Sequence, residues 1–421
     1  MFDPILRVLH VFSDFPGPPF YGGNLPEYNV LRNLSNNHID LHIAYGIDFG
    51  DSVHHDLEEL DLLGIKARSA KGFRVSVPLT NAQRLKGLIS GKPPGPAYTE
   101  RSIGLYIRQY VKEIIREYPI DIIHVWGHSL AGSLSVVKFA PKILVAGDCM
   151  STLHETYARS KGFPRSVYHR IAARYLRTYE KFHYPKYNAV VFYSERDREA
   201  TGLPDKLLQL VIRNGVDTEL FAPMVRSTNP APILMFHGYL GHYPNLEGAM
   251  FLINTVGPYM EKLVGTGGFR LRILGSDPTG ALSRYKSQYR WLELPGYCKN
   301  LPSALNEADV YLAPVFSGAG IKNKVLEAFS MGLPVIGTAE AFAALDVKDG
   351  THCMKCSKEE FAPNIMEILN SESLRAKLGA SARAYVEEYF SWTSVAKAYL
   401  SLYEACISRT NTLHQKINQS I

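Results

Sequence analysis

Residues 317–328 read SGAGIKNKVLEA and follow the apolar run of residues 310–314. A short apolar run, then small residues, then a helix-forming segment predicts a strand, a glycine-rich loop and the start of a helix. The small residues Gly318, Ala319 and Gly320 let backbone amides approach an anion, and a helix N-terminus adds partial positive charge. The stretch therefore predicts a phosphate-binding turn within an α/β fold.

Two charged residues lie in the first turns of this predicted helix. Lys324 would face the anion, and Glu327 follows three residues later on an adjacent part of the helix surface. A carboxylate there can accept hydrogen bonds from two neighbouring ribose hydroxyls, as the acidic residue of dinucleotide-binding folds does. The pair predicts a site for a nucleoside diphosphate. A glycine-rich turn before an ordinary surface helix is the alternative.

The alternation of strands and helices extends along the whole chain. Short apolar runs typical of buried parallel strands occur at residues 5–12, 39–45, 120–125, 143–146, 189–193, 208–212, 233–237, 271–274, 291–294, 310–314 and 334–336. Helices are predicted at residues 25–35, 106–117, 165–186 and 393–408. This alternation is typical of doubly wound parallel sheets.

The length of 421 residues is too great for one ordinary core. The segment at residues 216–232 is rich in proline and suits a connection between domains. We therefore predict two Rossmann-like domains, at residues 1–212 and 213–390. Residues 391–421 would form a C-terminal helix that returns to the first domain.

The composition excludes several classes of protein. Hydrophobic residues make up 46% of the chain and charged residues 20%, which is typical of globular proteins. A net charge of +6 is far from the strongly basic balance of nucleic-acid-binding proteins. The sequence has neither a signal-peptide pattern nor an apolar run long enough to cross a membrane, so we expect a cytoplasmic protein.

The sequence offers no ordinary metal site. No D-x-D motif follows a predicted strand, and the nearest approach is Glu59-Leu60-Asp61 in a helical segment. Cys353 and Cys356 form a lone C-x-x-C, and five scattered cysteines suit free thiols. We expect neither metal nor cofactor, so Lys324 and the helix N-terminus would supply the positive charge that a diphosphate needs.

The longer stretch GIKNKVLEAFSMGLPV, residues 320–335, resembles the donor-site signature of family 4 glycosyltransferases, especially a subgroup of exopolysaccharide-associated sugar transferases. The resemblance implies a GT-B fold, in which two Rossmann-like domains face each other across a cleft. It implies that Lys324 meets the donor pyrophosphate and is catalytic, and that Glu327 holds the ribose. Many relatives have a glutamate where this chain has Ala319, so the amides of Gly320 and Ile321 would read the donor sugar here.

Other segments resemble the same family in the same order. Residues 213–221, RNGVDTELF, are similar to the element that begins the hinge, and residues 236–245, FHGYLGHYPN, to the first loop of the donor domain. The resemblance assigns Gly238, Asn245 and Tyr297 to donor binding. Relatives usually carry arginine and lysine in that first loop, so more of the phosphate charge would fall here to the lysine of the signature.

In the N-terminal half, the resemblance assigns residues that follow predicted strands. Gly22 and Gly23 would approach the donor, and a plain turn is the alternative. His128 would lie beside the anomeric carbon or the acceptor, whereas Trp126 occupies the commonest histidine position of relatives; a structural loop histidine is the alternative. Asp148 would bind acceptor hydroxyls.

The implied reaction is a retaining transfer of sugar from a nucleoside-diphosphate sugar, with a UDP-sugar favoured, to an unidentified hydroxyl acceptor in polysaccharide, glycolipid or glycoside biosynthesis. The basic, tyrosine-rich helix at residues 165–186 suits contact with the inner face of a membrane or with a lipid phosphate; a solvated helix face is the alternative. Two rival functions are a sugar-nucleotide epimerase, which needs additional carboxylates for proton transfer, and a non-catalytic sugar-nucleotide-binding subunit.

Overall fold

The computed structural model describes residues 5–17, 24–35, 39–47, 57–74, 104–139, 141–160, 162–225, 229–317 and 321–418. The chain divides into two compact units, Met1–Arg213 with Val395–Ile421 and Asn214–Ser394. We call them the first unit and the second unit. Each contains one sheet of parallel strands, so the predicted α/β class with two parallel-sheet domains is confirmed.

The first unit contains a seven-stranded sheet. Its strands are β1 (Leu6–Val11), β2 (Ile39–Ile47), β3 (Ser69–Arg74), β4 (Ile122–Trp126), β5 (Lys142–Gly147), β6 (Ala189–Phe192) and β7 (Leu208–Val211). Its helices are α1 (Asn24–Leu34), α2 (Leu57–Leu62), α3 (Gly104–Glu117), α4 (Ala131–Ser135), α5 (Met150–Ser160), α6 (Arg165–His183) and α7 (Glu195–Thr201). The strand order is β3-β2-β1-β4-β5-β6-β7, and it reverses between β1 and β4.

The second unit contains a six-stranded sheet. Its strands are β8 (Ile233–His237), β9 (Arg270–Leu274), β10 (Leu292–Gly296), β11 (Val310–Ala313), β12 (Val335–Gly337) and β13 (Met354–Lys355). The helices from here to the C-terminus are α8 (Tyr243–Phe251), α9 (Gly257–Val264), α10 (Leu301–Asn306), α11 (Asn323–Ser330), α12 (Ala339–Phe342), α13 (Phe361–Asn370), α14 (Glu372–Tyr389) and α15 (Trp392–Asn418). The strand order is β10-β9-β8-β11-β12-β13, with the reversal between β8 and β11.

Both faces of the second sheet are covered by apolar side chains. Met235 and Tyr311 belong to one buried cluster, whereas Leu234, Phe236 and Leu312 belong to another. Successive residues of a strand point to opposite faces, so the two clusters lie on the two sides of the sheet. Strands buried in this way read as continuous apolar runs, which is why the sequence alone predicts β8 with the bounds that the structure has.

Helix α15 docks through two buried tyrosines. From Val395 onward the helix belongs to the first unit. The hydroxyl of Tyr403 lies 2.6 Å from Nδ1 of His124, and the rings of Tyr399 and Trp126 pack with centroids 5.6 Å apart. The C-terminal helix is therefore part of the first unit. None of the described helices is long and apolar enough to span a bilayer.

Candidate active site

Helix α11 begins at the carboxyl edge of the second sheet. β8 ends at His237 and β11 at Ala313, and α11 starts at Asn323, shortly after β11. In open α/β sheets, ligands bind outside the carboxyl ends of the strands where the strand order reverses. The sequence signature and the topology therefore indicate the same place in the second unit.

One face of α11 is buried and the other carries charge. Val325, Leu326 and Ala328 are fully buried in the core of the second unit. Lys324 and Glu327 are each only partly buried. Because the apolar face fixes the rotation of the helix, both charged side chains are directed out of the core near the ends of β8 and β11.

Glu327 is held by a histidine from the neighbouring strand. Nε2 of His237 lies 2.7 Å from Oε2 of Glu327, and Nδ1 of His237 lies 3.1 Å from the hydroxyl of Tyr311. The side chain of His237 is 9% exposed and that of Glu327 is 22% exposed. The carboxylate is therefore anchored on its inner side and still open to a ligand.

The partners of His237 determine its tautomer. An ionised carboxylate only accepts hydrogen bonds, so Nε2 carries a proton and donates to Glu327. In the neutral ring, Nδ1 then accepts a hydrogen bond from the hydroxyl of Tyr311. Burial, with a smaller contribution from the charge of Glu327, raises the pKa of Tyr311 well above its ordinary value, so the hydroxyl keeps its proton.

Lys324 contacts the helix that follows β8. Its Nζ donates to Oδ1 of Asn245 at 2.5 Å and lies 4.6 Å from the centre of the Phe236 ring. Nδ2 of Asn245 donates in turn to the carbonyl of Tyr239 at 2.9 Å, which orients the amide. Burial lowers the pKa of Lys324 to about 8, although the charge of Glu327 opposes this. An incoming anion would favour the charged lysine.

A larger residue in place of Gly238 would crowd the side chain of Lys324. A Cβ atom at Gly238 would lie 2.7 Å from Nζ of Lys324, and its φ of +156° is one that other residues rarely adopt. A Cβ atom at Gly275 would lie 1.9 Å from the carbonyl oxygen of Gly238. Gly238 therefore leaves room for the lysine, and Gly275 lets the end of β9 approach the backbone of Gly238.

The remaining predicted donor residues differ in what the structure shows of them. Tyr297 follows Gly296, where β10 ends, and the residue is 73% exposed. Ile321 is partly buried against the core of the second unit. The other predicted donor residues lie outside the described residues: Gly22, Gly23, Gly318, Ala319 and Gly320.

The two predicted acceptor residues lie in the first unit, each after a strand. His128 begins a short 3₁₀ helix after β4, and burial, aided by His154, lowers its pKa to about 4. Its imidazole is therefore neutral at neutral pH. Asp148 follows β5; loss of surrounding water and then the charge of Asp197 raise its pKa. Both side chains belong to the carboxyl edge of the first sheet.

No group of three or more His, Cys, Asp or Glu side chains in the described part of the chain is arranged to hold a metal ion. Cys353 and Cys356 flank β13, and both are free and buried. Burial raises the pKa of each thiol to about 12, so neither is a thiolate at neutral pH. Glu59 and Asp61 lie in helix α2, as predicted.

Sequence profiles of known families match both halves of the chain. The profile described as "Glycosyltransferase Family 4" matches residues 66–220, and the profile described as "Glycosyl transferases group 1" matches residues 231–371. The chain is a GT-B glycosyltransferase of the family 4 type. A search of curated protein sequences found no match.

Solved structures resemble this glycosyltransferase over nearly its whole length. HepE of Anabaena, in complex with UDP, has a TM-score of 0.63 at 14% identity, over 95% of this chain and all of that one. Sucrose-phosphate synthase of Thermosynechococcus elongatus has a TM-score of 0.64 at 15% identity, over 96% of this chain and 100% of that one. A glycosyltransferase of Rickettsia africae ESF-5 has a TM-score of 0.62 at 14% identity, over 96% and 98%. These likenesses confirm the predicted GT-B fold.

The sequence alone does not assign two residues to the glycosyltransferase's candidate site, His237 and Tyr311. His237 lies in the quoted segment 236–245 but is the last residue of an apolar strand, and Tyr311 lies inside another. Their contacts join residues 90 and 74 positions apart. The sequence does show a polar residue, His237, at the end of an otherwise apolar strand. Only the pairing of the strands shows what this residue contacts.

In the first unit of the glycosyltransferase, Ser151 lies three residues after Asp148, in the first turn of α5. Its amide donates to Oε1 of Glu180 at 3.0 Å and its hydroxyl donates to Oε2 at 2.7 Å. Glu180 is 1% exposed, and burial raises its pKa despite these bonds. A buried carboxylate of α6 thus caps the start of α5.

Proposed function

We propose that this glycosyltransferase moves a sugar from a UDP-sugar to a hydroxyl acceptor with retention of configuration and without a metal ion. One observation carries the proposal: a lysine and a carboxylate, each anchored by a partner, stand together where the second sheet reverses its strand order. Such a pair suits a diphosphate and a ribose. HepE of Anabaena, similar in fold, has been solved with UDP-glucose.

The donor nucleotide binds the second unit in this proposal. Glu327 accepts hydrogen bonds from the ribose hydroxyls through the part of its carboxylate that His237 leaves open. The ammonium of Lys324 and the backbone amides from Gly318 to Ile321 bind the diphosphate. Gly238 and Asn245 lie next to the ammonium and hold it in position. Tyr297 lies next to the base. The amides of Gly320 and Ile321 read the donor sugar.

The chemistry requires a cation where negative charge develops. As the glycosidic bond breaks, charge appears on the leaving phosphate oxygen, and a preorganised ammonium stabilises it more than water can. Lys324 supplies this charge, held by Asn245 at 2.5 Å. The N-terminus of α11 adds partial positive charge. These two sources serve in place of a metal ion.

The acceptor binds the first unit through His128 and Asp148. A neutral imidazole can accept a hydrogen bond from an acceptor hydroxyl. The low pKa of His128, about 4, keeps the ring in this neutral form at ordinary pH. The acceptor belongs to polysaccharide, glycolipid or glycoside biosynthesis.

Contact with an anionic membrane surface forms part of the proposal. A cleft of about 560 Å³ is lined by four basic side chains that recur at helical spacing along α6: Arg170, Arg174, Arg177 and Lys181. Glu155 of α5 also borders this cleft. Phe163, just before α6, is 87% exposed and Val167 is 41% exposed. Exposed apolar residues beside a basic row suit the interface of an anionic bilayer.

Vesicle sedimentation tests this contact. The protein should sediment with vesicles that contain phosphatidylglycerol, less so as salt rises, and not with neutral phosphatidylcholine vesicles. Arg170→Glu with Arg174→Glu should abolish sedimentation, whereas the matched charge change Lys262→Glu with Lys299→Glu, at exposed sites of the second unit, should not. Equal sedimentation with both kinds of vesicle would rule the contact out.

The reaction itself is tested with UDP-sugars. Incubation of the protein with UDP-glucose, UDP-galactose and UDP-N-acetylglucosamine in excess EDTA, with a panel of sugar and lipid acceptors, should release UDP and form an α-linked product, identified by NMR. An epimerase would instead convert the UDP-sugar without any acceptor, and a binding subunit would bind UDP without turnover. Either of these results would replace the proposal.

A further inference from the structure

We infer that His237 and Tyr311 are positioning residues for the donor ribose, because together they fix the carboxylate of Glu327 in the orientation that receives the ribose hydroxyls. The inference rests on the proposed donor site. It adds two residues that neither the family signature nor the strand pattern assigns. Neither residue needs to touch the nucleotide.

The first step of the argument is the geometry of the chain of contacts. Tyr311 lies in β11, and Tyr311 pairs in register with Met235 of β8, the neighbouring strand. Its hydroxyl reaches Nδ1 of His237 at 3.1 Å, and Nε2 of the same ring reaches Oε2 of Glu327 at 2.7 Å. Two strands of one sheet therefore hold a side chain that extends from a helix.

The second step is that this support is rigid. Tyr311 is fully buried and His237 is nearly so, and their rings pack with centroids 5.5 Å apart at an angle of 63°. A glutamate on a helix has several rotatable bonds, and freezing them on binding costs entropy. A glutamate already held by a buried histidine has lost this freedom before the ligand arrives.

The third step is the number of acceptor sites that the carboxylate of Glu327 keeps for a ligand. The hydrogen bond from His237 uses one lone pair of Oε2. An ionised carboxylate has about four lone-pair sites, so Oε1 and the second site of Oε2 stay open. Two adjacent hydroxyls need two acceptor sites side by side, which the anchored orientation provides.

The role of Tyr311 is to hold the ring of His237 in place. The carboxylate of Glu327 requires the proton on Nε2, and the hydroxyl of Tyr311, which donates to Nδ1, fixes the ring from its other side. Without this hydroxyl, the ring is held by a hydrogen bond at Nε2 alone. Tyr311→Phe should therefore loosen Glu327 without removing any group that contacts the carboxylate directly.

A purely structural role would give a different pattern of affinities. If His237 and Tyr311 only fill the core, their replacement should weaken binding of any nucleotide by general disorder. If they position Glu327, the loss should appear only for ligands that have ribose hydroxyls. It should also disappear once Glu327 no longer acts on the ribose.

Calorimetric titration with UDP and with 2′,3′-dideoxy-UDP separates these cases. We expect His237→Leu to weaken UDP binding about tenfold, and Tyr311→Phe a few-fold, with the affinity for dideoxy-UDP unchanged. His237→Gln can place an amide N–H near the position of Nε2, and it should restore most of the UDP affinity. Adding His237→Leu or Tyr311→Phe to Glu327→Gln should cost no further UDP affinity.

The matched control is Tyr385→Phe. It also removes a buried tyrosine hydroxyl of the second unit, one that accepts a hydrogen bond from the amide of Asp346 at 3.0 Å. It should leave both affinities unchanged. Thermal melting of every variant establishes that it is folded, and if His237→Leu does not fold, the Tyr311→Phe and His237→Gln titrations decide the question.

Two results would overturn the inference. One is an equal loss of UDP and dideoxy-UDP affinity in Tyr311→Phe, and the other is a loss that adds fully to that of Glu327→Gln. Failure of the donor site itself looks different: the unaltered protein would not bind UDP, or Glu327→Gln would weaken UDP and dideoxy-UDP equally. The two failures are therefore distinguishable in one set of titrations.

Discussion

Replacing Lys324 by alanine should slow the chemical step more than it weakens donor binding. Nζ of Lys324 is already held by Asn245 at 2.5 Å and lies over the ring of Phe236. In the proposed donor complex, the diphosphate also binds backbone amides before α11 in the ground state. Further negative charge develops on the leaving oxygen only as the bond breaks, and interactions that strengthen there accelerate the reaction.

The size of the effect follows from the kind of contact. A hydrogen bond to a charged group contributes about 1.5–3 kcal/mol, which corresponds to a fall in kcat of roughly 10- to 150-fold. Lys324→Arg should recover little, because its planar guanidinium is longer. The space beside Gly238 is narrow, since even an added Cβ atom there would lie 2.7 Å from Nζ of Lys324.

Single-turnover kinetics at saturating donor measure this step directly. Lys322→Ala is the matched control, because it removes the same charge two residues away, from the residue that precedes α11; its rate should change only a few-fold. The reasoning would be refuted if Lys324→Ala raised KM for the donor about tenfold and left the single-turnover rate unchanged.

Four further predictions concern the same site. Glu327→Gln should weaken UDP binding by about 1.5–3 kcal/mol and leave 2′,3′-dideoxy-UDP unaffected; an equal loss for both ligands in calorimetry would remove Glu327 from the ribose. Gly238→Ala should lower kcat/KM at least about tenfold, because its Cβ would meet Nζ of Lys324 at 2.7 Å. The control is Gly280→Ala, which also changes a glycine at positive φ; the nearest atom to its Cβ would be the Ser283 hydroxyl. UDP affinity should fall as pH rises above about 8, because Lys324, with a pKa near 8, loses the charge that the diphosphate binds; Lys324→Ala should flatten that dependence, and an unchanged slope would contradict the assignment. Calorimetry in excess EDTA should retain UDP affinity, and a loss of more than about tenfold would indicate a metal.

Much of the fold is predictable from the sequence because its strands are buried on both faces. The runs at residues 233–236 and 310–314 are continuously apolar, as parallel strands covered by helices must be. β3, Ser69–Arg74, is not predicted, because SAKGFR at the edge of the sheet has no continuous apolar run. β13 has only two residues, too few for any pattern.

The site is predictable where neighbours in sequence act together. Lys324 and Glu327 lie three residues apart on one helix, so their spacing places them on adjacent parts of its surface, and the family resemblance assigns their roles. The support of Glu327 is not local, because His237 and Tyr311 reach it from two strands, and their pairing depends on how the chain returns to the sheet. The contact of Lys324 with Asn245 likewise joins residues 79 positions apart.

A crystal structure of the protein soaked with UDP tests the central claim most directly. The account predicts that the ribose hydroxyls lie within hydrogen-bond distance of the Glu327 carboxylate and that the diphosphate contacts Nζ of Lys324 at the start of α11. His237 should keep its bond to Oε2 of Glu327. UDP bound elsewhere, or bound here with its ribose turned away from Glu327, would contradict the account.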